Sequence, residues 1–265
     1  MRCLAVIAVL FAASFAGCAG DDSPSNADAA GGSFDAPAGS CVAEGPTEVT
    51  LTTEDGVELI ADSYTTGVAG SPGVILLHMI PPSNSKSNYP AAFIEPLVQR
   101  GFNVINVNRR GAPGSGGVAS EAYTGPNGKF DAKAGYEFLV GHACATPAAA
   151  IAVVGASNGT TTTIDFSVYA AATTGVEQPA ALVLLSGGTY TEGQNTISGN
   201  LDALDNHPVW LGYPTAEASW NLGVEAVAPQ DWQFVEYSPG SHGTLLFGSD
   251  SDSITNVIDF IDGVL

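Results

Sequence analysis

The sequence predicts a single α/β domain, built as an eight-stranded, mostly parallel sheet with helices on both faces. The chain has 265 residues and a mass of 26.8 kDa, which is enough to bury a large core. Hydrophobic residues make up 45% of it and charged residues only 13%, a composition typical of a folded protein. From Thr47 onward, short apolar or alternating runs are separated by longer amphipathic stretches, an order typical of parallel strands joined by helices.

Eight runs are predicted as strands and five stretches as helices. The strands are residues 48–53, 57–64, 73–78, 102–107, 151–155, 180–185, 208–213 and 232–237, and the helices are residues 91–100, 129–140, 159–172, 215–226 and 253–264. The first two strands are joined by Glu54, Asp55 and Gly56, an acidic turn ending in glycine that suits a β-hairpin. In such a sheet the chemistry lies at the carboxyl ends of the strands, so the segments that follow the strands are the candidates for a functional site.

The net charge argues against two classes of partner. The chain has 7 Lys and Arg residues against 27 Asp and Glu residues, a formal net charge of −20 with His neutral. Its few basic residues form no long run. Nucleic acids and anionic lipids are bound through cationic surfaces, so we expect the folded domain to bind neither.

The N-terminus has the pattern of an export signal. Arg2 precedes an apolar run over residues 4–16, which is shorter than the roughly 20 residues that a membrane-spanning helix needs. Residues 1–17 are therefore predicted to be a signal peptide that is removed. Residues 15–18 (FAGC) resemble the lipobox of bacterial lipoproteins, in which the cysteine is acylated and becomes the first residue of the mature chain. Cys18 is the predicted lipidation site, and an ordinary secretory signal with an incidental cysteine is the alternative.

A flexible tether is predicted between Cys18 and the folded domain. Residues 19–40 are nearly all Asp, Ser, Pro, Ala, Asn and Gly, a composition that buries too little apolar surface to offset the entropy of ordering the chain. The predicted boundaries are therefore a lipidated cysteine and tether over residues 18–44 and one domain over residues 45–265. An acylated cysteine on a tether implies an exported protein anchored to a bacterial membrane, in the periplasm or at the cell surface, and otherwise a secreted one.

Cysteine usage agrees with export. Cys3 leaves with the signal peptide and Cys18 would be lipidated, which leaves Cys41 and Cys144 in the folded part. An even pair in an oxidising compartment predicts a disulfide. Two unpaired buried thiols are the alternative, because the sequence alone does not bring the two Cα atoms within reach.

The most specific motif is the pentapeptide Gly-Ala-Ser-Asn-Gly at residues 155–159, a G-x-S-x-G sequence. In a chain with 32 glycines the pentapeptide alone is weak evidence, but it lies directly after a predicted strand and opens a predicted helix. That is the context of a nucleophile elbow, a turn so tight that the residues two before and two after the serine must lack side chains. Ser157 is therefore the predicted nucleophile.

A serine hydroxyl is a poor nucleophile at neutral pH, so an imidazole must take its proton. The candidates are His78, His142, His207 and His242. His242 lies in a loop of small residues after the last predicted strand, where it can reach over the sheet, and it is the predicted base. His78 is predicted to hold the loop that it begins.

The base needs a carboxylate to orient it. In chain order that acid should follow the strand over residues 208–213, and Glu217 lies four residues past its end. Glu225 and Asp231 are farther along the chain. An ordinary exposed acid at a helix start is the other interpretation of Glu217.

Two backbone N–H groups are predicted to stabilise the oxyanion of a tetrahedral intermediate. One is that of Asn158, the residue after the nucleophile. The second should come from the loop after the strand over residues 73–78, where Met79 or Ile80 would supply it.

Taken together, these residues resemble the α/β-hydrolase family, whose nucleophile, acid and histidine follow in the chain order of Ser157, Glu217 and His242. The resemblance covers residues 47–265. Its most specific segments are residues 76–79, residues 106–116 (NVNRRGAPGSG), the elbow and residues 240–243, which are similar to those of small bacterial hydrolases related to dienelactone hydrolase and to serine esterases.

The resemblance implies an α/β-hydrolase fold and a serine hydrolase that cleaves a small-molecule carboxylic ester through an acyl-enzyme intermediate, without a metal or an organic cofactor. A dehalogenase is disfavoured, because the elbow carries a serine where that chemistry needs a carboxylate. A peptidase or an acyltransferase could use the same triad, and a non-catalytic surface lipoprotein that retains the fold is the alternative from another class. Met79 and Pro214 depart from the family pattern, since a glycine is usual at both positions.

No large lid domain is predicted. Only residues 186–207 separate the strand over residues 180–185 from the strand that precedes the acid, which is room for one short helix and loops. An open, shallow cleft buries little of a long acyl chain, so the sequence predicts a preference for short-chain esters.

Overall fold

The structure is a computed structural model that describes residues 40–124, 126–188, 195–204 and 207–265. The predicted signal peptide, the predicted lipidation site Cys18 and most of the predicted tether lie outside the described residues. Within the described ranges, no helix is both long enough and apolar enough to cross a membrane.

One sheet contains eight strands. They are β1 (Ala43–Thr52), β2 (Glu58–Thr66), β3 (Gly73–Leu77), β4 (Asn103–Val107), β5 (Ile151–Ala156), β6 (Ala181–Leu185), β7 (Val209–Pro214) and β8 (Gln233–Tyr237). In space they lie in the order β1-β2-β4-β3-β5-β6-β7-β8. β1 pairs with β2 and β2 with β4 in antiparallel directions, and all the other neighbours are parallel. The predicted eight-stranded, mostly parallel sheet is confirmed.

Helices cover the sheet. They are α1 (Ala91–Gln99), α2 (Lys129–Gly141), α3 (Asn158–Ala172), α4 (Leu201–Leu204), α5 (Ala218–Glu225), α6 (Leu246–Ser249) and α7 (Ser253–Val264), with single turns of 3-10 helix at Lys86–Asn88, Ala119–Ala122, Thr215–Glu217 and Gly243–Leu245. The five predicted helices correspond to α1, α2, α3, α5 and α7. α4 and α6 have only four residues each, too few to show a helical period in the sequence.

The central strands place alternate side chains in two apolar layers. In β3, Ile75 and Leu77 belong to the layer that packs against α2 and α3, whereas Val74 and Leu76 belong to the layer that packs against α1 and α7. All four side chains are fully buried, which is why β3 is an unbroken apolar run in the sequence. Helices therefore pack on both faces of the sheet, as predicted.

β1 begins earlier than the predicted strand over residues 48–53. Its pairing with β2 passes an irregularity between Glu44 and Thr47 and continues to Ala43. The two residues inside the irregularity are a glycine and a proline, which normally end a strand, so the sequence pattern hid the extension. At the other end of β1, the predicted hairpin into β2 is present.

A disulfide joins Cys41 and Cys144, whose Cα atoms lie 4.7 Å apart. Cys41 lies just before β1, and Cys144 lies fully buried in the loop between α2 and β5. The bridge confirms the predicted pairing. It fastens the entry of the folded domain to the segment that leads into the strand before the elbow.

Candidate active site

The candidate site lies at the carboxyl end of the sheet, where β5 turns into α3. Ser157 is the one residue between them, and its φ of 51° and ψ of −122° lie outside the regions that non-glycine residues normally occupy. Its N–H donates to Leu185 O at the end of β6, at 2.8 Å. This strained turn presents the serine side chain at the N-terminus of α3, which is the geometry of a nucleophile elbow.

Both glycines of the pentapeptide are required by close contacts. A Cβ atom on Gly155 would lie 2.4 Å from both Gly159 O and Thr163 Oγ1, and one on Gly159 would lie 2.3 Å from Leu77 O. Neither glycine has a positive φ, so the constraint is the space beside the turn and not the backbone conformation. The elbow forms because these two residues let α3 pack closely onto β3 and β5.

Three side chains form a hydrogen-bonded row at this turn. His242 Nε2 lies 2.6 Å from Ser157 Oγ, and His242 Nδ1 lies 2.6 Å from Glu217 Oε1. A carboxylate only accepts hydrogen bonds, so the Nδ1 proton points to Glu217 and the Nε2 lone pair accepts the serine O–H. A nucleophile, a base and an orienting acid are arranged in this way in serine hydrolases.

Glu217 and His242 come from the segments after β7 and β8. Glu217 ends the 3-10 turn that follows β7, and its carbonyl accepts a hydrogen bond from Asn221 Nδ2 at 3.0 Å. Directly after His242, the Gly243 N–H donates to Ser186 Oγ at 2.8 Å. Ser186 has a φ of 56°, so the end of β6 is strained where it holds the histidine loop.

The other candidate acids and histidines lie away from this row. Glu225 and Asp231 are exposed and make no hydrogen bond to the row in the described part of the chain. His142 Nδ1 accepts the Cys144 N–H at 3.2 Å in the loop before β5, and His207 lies at the amino end of β7. Across the described ranges, no three His, Cys, Asp or Glu side chains are grouped to ligate a metal ion.

His78 holds the loop that follows β3. Its ring is fully buried, and the Arg109 N–H donates to its Nε2 at 2.9 Å. A backbone N–H can only donate, so Nε2 is unprotonated and Nδ1–H donates to Met79 O at 2.7 Å. Burial, together with the nearby Arg109 charge, lowers the pKa of His78 to about 3. The ring therefore stays neutral and supports the loop, and it does not serve as a base for the serine.

The predicted oxyanion donors lie in two segments beside Ser157. Asn158 begins α3, and the first N–H groups of a helix have no partner within it. Met79 and Ile80 follow β3, and the N–H groups of these three residues make no hydrogen bond within the described residues. The Met79 side chain lies against the histidine loop, since a Cβ atom on Gly243 would lie 2.6 Å from Met79 Sδ and 3.7 Å from Ser157 Cβ. The loop after β3 therefore packs beside the nucleophile through the Met79 side chain.

Two residues of this region, Ser186 and Arg109, cannot be predicted from the sequence. Ser186 follows a buried strand and precedes two glycines. This pattern predicts the end of a strand, but it does not predict which group the Ser186 hydroxyl bonds. Arg109 belongs to the NRRG segment after β4, where the sequence gives no sign of what either arginine contacts.

Solved structures of other proteins share this fold, although the sequence matches no protein-family model and no curated protein. An esterase from Pyrococcus furiosus is 18% identical with a TM-score of 0.61, over 82% of this chain and 92% of that one. An esterase from a Rhodococcus species is 15% identical with a TM-score of 0.61, over 82% and 99%. An α/β-hydrolase from a Penicillium species is 12% identical with a TM-score of 0.64, over 82% and 98%. The strand order, the elbow and these likenesses together show that the chain has the α/β-hydrolase fold.

Proposed function

We propose that the protein is a serine hydrolase that cleaves carboxylic esters through an acyl-enzyme intermediate. One observation carries the proposal: His242 lies 2.6 Å from both Ser157 Oγ and Glu217 Oε1, at the strained turn between β5 and α3. A hydroxyl, a base and an orienting carboxylate in one row are the groups that acyl transfer needs. Two of the structural neighbours are esterases, which agrees with an ester substrate.

In the acylation step, Ser157 Oγ attacks the ester carbonyl carbon while His242 Nε2 takes the hydroxyl proton. Glu217 keeps the ring in the tautomer with the proton on Nδ1 and stabilises the imidazolium that forms. The imidazolium then gives its Nε2 proton to the departing alkoxide. The alcohol leaves, and the acyl group remains on Ser157 Oγ.

In the deacylation step, water replaces the alcohol. His242 Nε2 takes a proton from the water as its oxygen attacks the acyl carbon, and the carboxylic acid leaves as Ser157 Oγ regains its proton. An oxyanion forms in both steps. The Asn158 N–H and one N–H from Met79 or Ile80 are the donors that we propose for it.

The substrate that we propose has a small acyl group. Only residues 186–208 separate β6 from β7, and α4, with four residues, is the one helix of its described part. A segment of this length cannot form a large lid over the nucleophile. The cleft is therefore proposed to be open, with little apolar surface for a long acyl chain.

We further propose that the protein is exported and anchored by a lipid on Cys18. The signal-like segment over residues 1–17 and the polar tether behind it support this proposal, and the disulfide between Cys41 and Cys144 suits an oxidising compartment. A net charge of −20 gives the chain no attraction to an anionic membrane surface. Attachment would therefore depend on the acyl chains.

Labelling with a fluorophosphonate probe tests the proposed function, because the probe reacts with activated serines. We expect labelling of the wild type at Ser157, no labelling of Ser157→Ala, and a loss of about 10³-fold or more in kcat of that variant on an activated short-chain ester. Ser167→Ala removes a buried hydroxyl from the same helix and is the matched control, which should keep both properties. Wild type that is not labelled, or undiminished turnover by Ser157→Ala, would contradict the proposal and favour a non-catalytic surface lipoprotein.

A further inference from the structure

Arg109 is a buried cation that lies behind the candidate oxyanion site. It is the second residue after β4, its side chain is fully buried, and the ion pairs of the described residues do not include it. The neighbouring Arg110 differs, because it pairs with Asp131 and Asp55 at 2.7 Å each. Burial lowers the pKa of Arg109 to about 10, so its guanidinium is still charged at neutral pH.

Within the described residues, uncharged oxygens accept all the hydrogen bonds of this guanidinium. Nη1 donates to His78 O at 3.0 Å and to Met79 O at 3.4 Å, and Nη2 donates to Ala122 O at 2.8 Å, Asn158 Oδ1 at 2.9 Å and Thr162 Oγ1 at 2.7 Å. Burying a charge without a directly bonded counter-ion costs folding free energy, which the charges of the nearby Asp131 and Asp165 offset only in part, because the pKa of Arg109 stays below its ordinary value. A sequence selected for stability alone would not favour such a group, and costs of this kind are typical of functional sites.

The two ends of the guanidinium hold two different segments of the site. Nη1 holds the loop after β3, and Nη2 holds the first turn of α3 through Asn158 and Thr162. The predicted oxyanion donors come from the same two segments, Asn158 from the helix and Met79 or Ile80 from the loop. Because a guanidinium is planar and rigid, it fixes the spacing between them.

The bonds of Nη1 also set the direction of the N–H groups in the loop. His78 C=O and Met79 N–H belong to one trans peptide, and Met79 C=O and Ile80 N–H belong to the next. In a trans peptide the two groups point in opposite directions, so carbonyls that point at Arg109 turn the N–H groups away from it. A charged donor on the carbonyl also polarises the peptide and strengthens its N–H as a donor.

We propose that Arg109 is a positioning residue of the oxyanion site, which aligns and polarises the N–H donor of the loop and ties it to the first turn of α3. Its backbone adds a second link to the same loop through the hydrogen bond to His78 Nε2. The inference rests on the proposed function, since an oxyanion forms only in that reaction. Arg109 itself makes no contact with the substrate in this assignment.

Arg109→Met tests the assignment, because methionine fills a similar volume without charge or donors. The number of active sites is counted by letting a fluorophosphonate react with Ser157 until labelling is complete. The measured kcat is then divided by this number, which gives kcat per titrated site. We expect this kcat to fall about 100-fold while KM changes less than about twofold. A trifluoromethyl ketone forms a tetrahedral adduct with the serine, and we expect the affinity for it to fall by a similar factor. A purely structural role would lower the number of titratable sites and leave kcat per site unchanged, which would overturn the assignment.

A second pair of variants decides the question if Arg109→Met does not fold. Thr162→Val removes one acceptor from Nη2 and keeps the side-chain volume. Ser167→Ala is the matched control, because Ser167 is equally buried on α3 and its hydroxyl makes no hydrogen bond within the described residues. We expect kcat per titrated site to fall about fivefold in Thr162→Val and to stay within about twofold of the wild type in Ser167→Ala. Equal losses in the two variants would overturn the assignment.

The activity of the wild type distinguishes a failure of this inference from a failure of the proposed function. Wild-type protein that neither reacts with the probe nor turns over an ester refutes the proposed function, and the assignment of Arg109 falls with it. An active wild type whose kcat per titrated site is unchanged in Arg109→Met and in Thr162→Val refutes the assignment of Arg109 alone.

Discussion

The Gly243 N–H donates a hydrogen bond to Ser186 Oγ at 2.8 Å, which ties the residue after His242 to the end of β6. The Ser157 N–H donates to Leu185 O, on the residue that precedes Ser186. The nucleophile and the histidine loop are therefore fastened to the last residue of β6 and to the residue that follows it. Their separation depends on how that strand ends.

Replacing Ser186 with alanine should lower activity more than stability. The variant leaves the buried Gly243 N–H without this acceptor, which should cost about 1 kcal/mol in the free energy of unfolding. The loosened His242 loop should lower kcat/KM about tenfold, because a small displacement of a catalytic group is costly. Urea unfolding and ester kinetics measure the two effects.

Ser186→Gly is the companion variant, since glycine also lacks the hydroxyl but tolerates the φ of 56°. If the lost hydrogen bond is the cause, both variants should lose kcat/KM to a similar extent. Wild-type kcat/KM in Ser186→Gly would contradict a role of this hydrogen bond in holding the histidine loop.

Glu217→Gln should lower kcat by about 10³- to 10⁴-fold, because an uncharged amide neither fixes the imidazole tautomer nor stabilises the imidazolium of His242. Glu225→Gln and Asp231→Asn remove one charge each from exposed positions nearby in the chain and are the matched controls. Their kcat should stay within about twofold of the wild type. If Asp231→Asn is the damaging change, the acid has been assigned to the wrong residue.

The sequence predicts the row of Ser157, Glu217 and His242 because each step of that prediction is local or topological. The space that the elbow requires is provided by two glycines of the same pentapeptide. Glu217 and His242 lie far along the chain, but a parallel sheet brings the carboxyl ends of β5, β7 and β8 to one edge. Glu217 and His242 could therefore be selected as candidates from their positions after the predicted strands.

The supports of the site could not be predicted in this way, because they depend on the direction of side chains in the folded core. Nothing in the NRRG segment indicates that, among the described residues, Arg109 donates hydrogen bonds to uncharged oxygens while Arg110 forms an ion pair with Asp131. The hydrogen bond of Ser186 joins residues 57 positions apart, and only the packed sheet brings them together. The early start of β1 was hidden for a local reason, since a glycine and a proline lie within the strand.

His78 should make the stability of the protein depend on pH. Burial lowers its pKa to about 3 in the folded protein, against about 6.5 in the unfolded chain. Between these values the unfolded chain binds a proton that the folded protein does not bind. The free energy of unfolding therefore loses this contribution as the pH falls from about 6.5 towards 3, with a slope of up to about 1.4 kcal/mol per pH unit, and keeps it in full above that range.

His78→Gln removes this titration and keeps a side chain that can donate to Met79 O. Urea unfolding between pH 4 and pH 6 should give the variant a smaller slope of unfolding free energy against pH than the wild type has, by up to about 1.4 kcal/mol per pH unit. Other buried groups such as Asp131 contribute to both proteins and cancel in the comparison. Equal slopes would contradict a buried neutral ring.

Cys18→Ser should move the protein from the membrane fraction to the soluble fraction, because a serine offers no thiol for acylation. Cys3→Ser is the matched control, since that residue lies in the predicted signal peptide, and this variant should stay on the membrane. A high-salt wash should leave the wild type bound, because acyl chains do not depend on ionic attraction. Release of the wild type by salt alone would contradict a lipid anchor.

Esters with short acyl chains should be the best substrates, because the segment between β6 and β7 is too short to cover a long one. Each methylene that is buried contributes about 0.8 kcal/mol, so an octanoate ester would gain about 3 kcal/mol over butyrate, or roughly 200-fold in kcat/KM, if its four additional methylenes were enclosed. In an open cleft these groups stay in water and add almost nothing. We therefore expect kcat/KM to be highest for acetate or butyrate, to show no gain for octanoate or palmitate, and to show no jump above the critical micelle concentration of the substrate. A gain approaching 200-fold from butyrate to octanoate would show that an enclosed acyl pocket exists.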